Sequence, residues 1–194
     1  MSTIVVSHGY QSREDSVWFP AFRAGLEAAG HQVVIPNLPA PDAPEAGPWL
    51  RALQQAAAGA EPADTVLVGH SIGGVNVLRL LQAHDTARPF AGALLVSTAS
   101  REVGYDQLAG FFDGGFDWDR ICASARRFHV LTAIDDPVNV PDPIEHVADL
   151  VRGLGATALV LPCGGHLGAH HADHVDLPEA TRLTLDLLGG DRPR

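Results

Sequence analysis

Gly69-His70-Ser71-Ile72-Gly73 places a serine between two glycines, after the apolar run Thr65-Val66-Leu67-Val68 and before Val75, Leu78 and Leu81 at helical spacing. A G-x-S-x-G pattern between a strand and a helix points to a nucleophilic serine on a sharp turn. The reason is steric. The serine backbone is held in an unfavourable conformation, and its neighbours two residues away must lack side chains for strand and helix to approach. Such a turn lifts the hydroxyl above a sheet and aims the first helical N–H groups at a developing oxyanion. A phosphate-binding turn is the competing reading, but neither G-x-G-x-x-G nor G-x-x-x-x-G-K-S/T follows any apolar run of the chain.

A serine hydroxyl needs a general base, and the base needs an acid to orient it. On a turn of this kind they follow in the order serine, acid, histidine, each after a later strand. Thr132-Ala133-Ile134-Asp135-Asp136-Pro137 offers the acid, and Cys163-Gly164-Gly165-His166-Leu167 offers the histidine. Asp135 and Asp136 compete for one role; the Asp-Pro step favours Asp136 turning inward, with Asp135 solvated or capping the turn. The oxyanion donors are expected to be the N–H groups of Ile72 and Tyr10, with Gln11 as the substitute for Tyr10. His8 reads as a structural histidine in its loop, and His70 as pointing toward the sheet or neighbouring loops.

These residues need a scaffold. Short apolar runs at Ile4–Val6, Gln32–Ile35, Thr65–Val68, Ala93–Val96, Phe128–Thr132 and Thr157–Leu161 are continuous rather than alternating, as parallel strands covered on both faces require. Between them lie helical patterns: Phe19, Phe22 and Leu26 ending at Gly30; Trp49, Leu53 and Ala57 before Gly59; and Val75, Leu78 and Leu81. Val147, Val151 and Leu154 stop at Gly155 after Pro141 and Pro143, and a last helix is expected over 178–188. Six strands alternating with helices predict an α/β fold, an about six-stranded, mostly parallel sheet with helices on both faces. Two stretches interrupt it: the proline-rich 36–48, read as irregular, and 100–118, rich in Gly, Asp and Phe. Both follow strands, at the edge where open α/β sheets place their sites.

The chain resembles the small α/β-hydrolases that include retinoblastoma-binding protein nine and its bacterial relatives. The likeness runs through His8-Gly9-Tyr10, Trp18-Phe19-Pro20, Gly30-His31-Gln32-Val33, Pro36-Asn37-Leu38-Pro39, Trp49 and Val68-Gly69-His70-Ser71-Ile72-Gly73-Gly74. It continues through Leu78-Arg79-Leu80-Leu81, Asp135-Asp136-Pro137 and Gly164-Gly165-His166. The resemblance implies a compact, cytoplasmic α/β-hydrolase with a minimal cap and no cofactor, whose triad is Ser71, Asp136 and His166. It covers a single domain over 1–190, leaving 191–194 as a polar tail. The chain departs from the group after His166, where Leu167-Gly168-Ala169-His170-His171-Ala172-Asp173-His174 replaces an Asn and a Gly-rich segment. That departure bears on pocket shape rather than mechanism.

The same segment puts His166, His170, His171, His174, Asp173 and Asp176 close together in sequence. No zinc-hydrolase signature accompanies them and His166 is claimed by the triad, so no metal site is expected. Tyr10, Gln11, Trp18, Phe19, Leu38, Phe111, Phe112, Phe116 and Leu167 are expected around the substrate, with Trp49 anchoring its loop to the core. Phe111-Phe112-Asp113-Gly114-Gly115-Phe116 reads as a short movable lid. With 194 residues no large cap domain fits, which favours short acyl groups over long lipids.

Thirteen basic against 23 acidic residues, a net charge of -10, argue against nucleic-acid and anionic-membrane partners. Two cysteines are too few for a disulfide scaffold and suit a reducing compartment. The expected function is a serine hydrolase cleaving a small carboxylic ester through an acyl-enzyme. A thioesterase, lactonase or acyltransferase on the same fold is an alternative, as is a binding protein that retains it.

Overall fold

The six apolar runs become strands β1 (Thr3–Ser7), β2 (Gln32–Val34), β3 (Thr65–His70), β4 (Gly92–Val96), β5 (Phe128–Ala133) and β6 (Thr157–Leu161). In the computed structural model, which describes residues 1–168 and 176–189, they form one sheet in the order β2-β1-β3-β4-β5-β6. Every pairing is parallel, with Ile4 beside Val33 on one side and Val66 on the other. Helices α1 (Phe19–Ala28), α2 (Ala46–Ala57), α3 (Ile72–Ala83), α4 (Trp118–Ala123), α5 (Pro143–Leu154) and α6 (Pro178–Leu188) cover it.

Successive strand residues point to opposite faces, so each strand must be apolar throughout when both faces are covered. On one face Ile4, Val6, Val68 and Leu94 pack with Phe22 and Leu26 of α1 and Leu183 and Leu187 of α6. On the other, Val5, Leu67, Leu95 and Val130 meet Leu53, Leu78, Leu81 and Leu150 from α2, α3 and α5. A third, smaller cluster of Leu38, Trp49, Ile72, Val75, Leu108 and Phe111 sits around the start of α3. The architecture is a compact α/β-hydrolase with a minimal cap.

Two details differ from the sequence reading. Pro48 lies inside the first turn of α2 rather than in irregular chain, a position where its missing N–H has no helical partner to lose. The stretch 100–118 is partly regular: Asp106–Phe111 is 3-10 helix, and Trp118 opens α4. The six-residue α4 is too short to show a period, and its start is fixed by Asp117, whose side chain accepts the Arg120 N–H at 3.0 Å.

Chain order reverses beside β1, which connects first to β2 at one edge and then, through β3, toward the other. The carboxyl ends of β1 and β3 therefore flank a crevice that no crossover helix covers. Residues 8–11 and Ser71 emerge there.

Candidate active site

Ser71 sits at φ 57° and ψ -129° between β3 and α3, its N–H donating to Val96 O at 2.9 Å. The glycines around it are required by contact. A Cβ on Gly69 would stand 2.3 Å from Gly74 Cα, and one on Gly73 would stand 2.1 Å from Ser7 O. Strained, non-glycine residues at positive φ gather here: Gln11, Val17 and Ser71 border a cavity beside the serine, and Ser97 borders a narrow recess that adjoins it.

Ser71 Oγ lies 2.7 Å from His166 Nε2, and His166 Nδ1 lies 2.9 Å from both Asp136 carboxylate oxygens. A carboxylate can only accept, so Nδ1 carries the proton and leaves Nε2 as the acceptor of the serine hydroxyl. His166 and Asp136 are 3% and 4% exposed, which shields this charge-assisted contact from water. Three further donors converge on Asp136: the N–H groups of Val138 and Asn139 at 2.9 and 3.3 Å, and Asn139 Nδ2 at 3.1 Å. Asn139 is itself buried. Its role is legible only in retrospect, from an Asp followed two and three residues on by N–H groups it can cap.

Asp135 does something else. Its Oδ1 accepts the Gly165 N–H at 2.9 Å, tying the loop of the acid to the loop of the histidine. Two more groups hold that histidine loop: Trp18 Nε1 donates to Leu167 O at 2.9 Å, and His70 Nε2 donates to His166 O at 2.9 Å. The base is thus pinned by β5, β3 and the start of α1, three segments far apart in sequence.

His70 is buried against Trp18 and Phe19, and desolvation, reinforced by the nearby His166, pushes its pKa from 6.5 down to about 3. Between those values the unfolded chain takes up a proton that the folded chain refuses. Above pH 6.5 both states are neutral and the cost is absent. As pH falls below that, stability is expected to decline by up to about 1.4 kcal/mol per pH unit. Urea unfolding at stepped pH tests this: His70→Gln, which removes the titrating group, should flatten the slope, and an unchanged slope would assign it elsewhere.

Of the two expected oxyanion donors, Ile72 is the first residue of α3, where an N–H has no intrahelical acceptor. The Gln11 N–H is spent on Pro41 O at 2.9 Å, so the substitute donor is occupied, whereas the Tyr10 N–H has no backbone partner among the described residues. His8 serves structure: Nδ1 donates to Gly9 O at 3.0 Å and Nε2 accepts the Leu38 N–H at 3.2 Å.

A cavity of about 380 Å³ opens beside Ser71 and His166, bordered by Tyr10, Gln11, Ser12 and Tyr105 among others. A narrow recess of about 20 Å³ continues from Ser71 past Ile72 and Phe112. Tyr10 and Gln11 border the cavity and Phe112 borders the recess. Trp18, Phe19 and Leu167 do not reach the cavity: each is 0% exposed, locked in the main core. Leu38 and Phe111 are buried beneath it with Trp49, whose Nε1 donates to Pro39 O at 2.7 Å. Apolar bulk near a loop is drawn first into the core, which the sequence pattern alone does not separate from a pocket wall.

The expected lid is fastened. The Arg79 guanidinium donates to Phe111 O, Asp113 O and Gly115 O at 2.8, 2.9 and 2.6 Å and lies 4.4 Å from the centre of the Phe116 ring. Phe116 packs on Trp118 rather than over the cavity. The signal was available in the one cation within the apolar Leu78-Arg79-Leu80-Leu81. Tyr105 and Leu108, which border the cavity, had no comparable signal.

Among the described residues no three His, Cys, Asp or Glu side chains converge as a metal requires. His170, His171, Asp173 and His174 lie outside the described residues, as does the tail 191–194. No described helix is long and apolar enough to cross a membrane.

Comparison with known proteins agrees with this geometry. A family model described as serine hydrolase matches residues 4–185. YdeN of Bacillus subtilis (strain 168) is 30% identical over 164 residues, covering 84% of each chain. The crystal structure of the ydeN gene product superimposes with a TM-score of 0.90 at 27% identity, covering 98% of this chain and 100% of that one. Est1E from Butyrivibrio proteoclasticus shares the fold, with a TM-score of 0.73 at 13% identity over 97% of this chain and 89% of its own.

Proposed function

The chain belongs to the serine hydrolase family, and from that premise we propose that it hydrolyses a small carboxylic ester with Ser71 as nucleophile, His166 as base and Asp136 as its orienting acid. The observation that carries the assignment is the continuous chain Ser71 Oγ, His166 Nε2, His166 Nδ1 and Asp136, at 2.7 and 2.9 Å. His166 takes the serine proton as Oγ bonds to the ester carbon, and the carbonyl oxygen receives the Ile72 and Tyr10 N–H groups. The tetrahedral intermediate collapses with loss of the alcohol, protonated by His166, leaving an acyl-serine. Water, deprotonated by His166, attacks that acyl carbon; the acid departs and the proton returns to Ser71.

The acidic surface and the free thiols Cys122 and Cys163 suit a cytoplasmic enzyme that acts on small molecules without a cofactor. The test is labelling with a fluorophosphonate probe, located by mass spectrometry. Wild type should carry the adduct on Ser71, and Ser71→Ala and His166→Ala should stay unlabelled. A folded wild type that resists the probe would show that the serine is not activated and would favour a binding role for the fold.

A further inference from the structure

The space around Ser71 divides into two unequal arms that share Ser71, Leu108 and Val138. The wide arm, about 380 Å³, is bordered by His166, Tyr10, Gln11, Ser12, Ser16 and Tyr105. The narrow arm, about 20 Å³, runs between Ile72, Val75, Ala99, Val103, Leu108 and Phe112, and His166 does not border it. Among the described residues, neither arm is lined by Asp, Glu, Lys or Arg.

The base decides which half of an ester occupies which arm. The group that accepts the serine proton must return it to the departing oxygen, so the alcohol has to leave on the His166 side. That side is the wide arm. The acyl chain is then directed into the narrow one. A recess of about 20 Å³ admits roughly one water-sized group, since a single water needs about 10–15 Å³ of such space. It accommodates the methyl of an acetyl group, or with slight yielding the ethyl of a propionyl group. The wide arm offers two phenol rings, from Tyr10 and Tyr105, and the amide and hydroxyls of Gln11, Ser12 and Ser16. These suit the faces and hydroxyl groups of a ring-bearing alcohol.

Resting on the hydrolase reading above, we infer that the substrate class is acetyl and propionyl esters of bulky, ring-bearing alcohols, the acyl group seated against Phe112 and Val103 and the alcohol against Tyr10 and Tyr105. Longer acyl chains meet the walls of the narrow arm. Arg79 limits how far those walls yield, because it holds the carbonyls on either side of Phe112, those of Phe111 and Asp113.

The experiment compares para-nitrophenyl acetate, propionate, butyrate and hexanoate, and then ethyl acetate against phenyl and naphthyl acetates. One methylene in a pocket is worth about tenfold or more, so across three methylenes kcat/KM should fall about a thousandfold from propionate to hexanoate. Phe112→Ala and Val103→Ala, both at partly buried positions, should each raise the hexanoate-to-acetate ratio about tenfold. Tyr105→Ala should lower kcat/KM for naphthyl acetate relative to ethyl acetate and leave the chain-length ratio alone. A wild type that cleaves hexanoate as well as acetate overturns the assignment. So does a chain-length preference that responds to Tyr105→Ala and not to Phe112→Ala, which would place the acyl group in the wide arm. Fluorophosphonate labelling separates the two levels: labelled Ser71 with either of these outcomes defeats only the arm assignment, whereas an unlabelled, inactive wild type defeats the hydrolase reading and this proposal with it.

Discussion

Ser71→Ala and Ser71→Gly are both expected to lower kcat by about a millionfold, yet to differ in stability. The loss of activity follows from removing the hydroxyl that lies 2.7 Å from His166 Nε2. The difference in stability follows from the backbone. At φ 57° and ψ -129° a Cβ is strained, at a cost of about 1–3 kcal/mol. Alanine retains that Cβ and its strain. Glycine relieves it, at the expense of about 0.4–1 kcal/mol of extra freedom in the unfolded chain. The net is about 1 kcal/mol in favour of the glycine variant, roughly 2–4 °C in Tm for a chain of this size. Thermal melts of the two inactive variants measure it. Equal melting temperatures would mean that the elbow is not strained, and activity retained by either variant would remove Ser71 from the chemistry.

Asp136→Asn is expected to reduce kcat by about ten-thousandfold, and Asp135→Asn by no more than about tenfold. The asymmetry comes from which donors surround each carboxyl. Asp136 accepts from Val138 N–H, Asn139 N–H and Asn139 Nδ2 as well as from His166. An asparagine there must give its single oxygen to the backbone donors on Oδ1. Its NH₂ group then faces the Asn139 amide and the imidazole, donor against donor. His166 can relieve the clash only by moving its proton to Nε2, where it no longer accepts from Ser71. Asp135 presents Oδ1 to the Gly165 N–H, and an asparagine oxygen accepts that bond equally well. Steady-state kinetics on both variants, with wild-type-like melts as the folding control, decides between the neighbours. A ten-thousandfold loss in Asp135→Asn alone would transfer the acid role to it.

Much of this site was legible in the sequence because its geometry is local. A serine flanked by Gly69 and Gly73 between strand and helix specifies its own turn, and the contacts a Cβ would make at either glycine show why no larger residue fits. The six strands were legible for a related reason: burial on both faces leaves no polar positions, so each run stands out as continuously apolar. The order of Ser71, Asp136 and His166 followed from where those runs end.

What the sequence left open were contacts across the sheet's edge. The Asp-Pro step favoured Asp136 over Asp135 without separating their roles; the Asn139 amide on one and the Gly165 N–H on the other do. Nor does composition tell a pocket wall from a core residue. Trp18 and Phe19 were drawn inside because burying their large apolar area outweighs leaving them at the cavity, while Tyr105, 41% exposed, was left at its rim. The sequence by itself determined the elbow, the strands, and the serine, the aspartate pair and the histidine at the strands' carboxyl ends, since each depends on neighbours a few positions away. Only the tertiary structure decided which aspartate meets the imidazole, how His70 and Trp18 hold the base, and that the space about Ser71 has two arms. These depend on side chains brought together from 30 to 149 positions apart, a proximity that no spacing along the chain encodes.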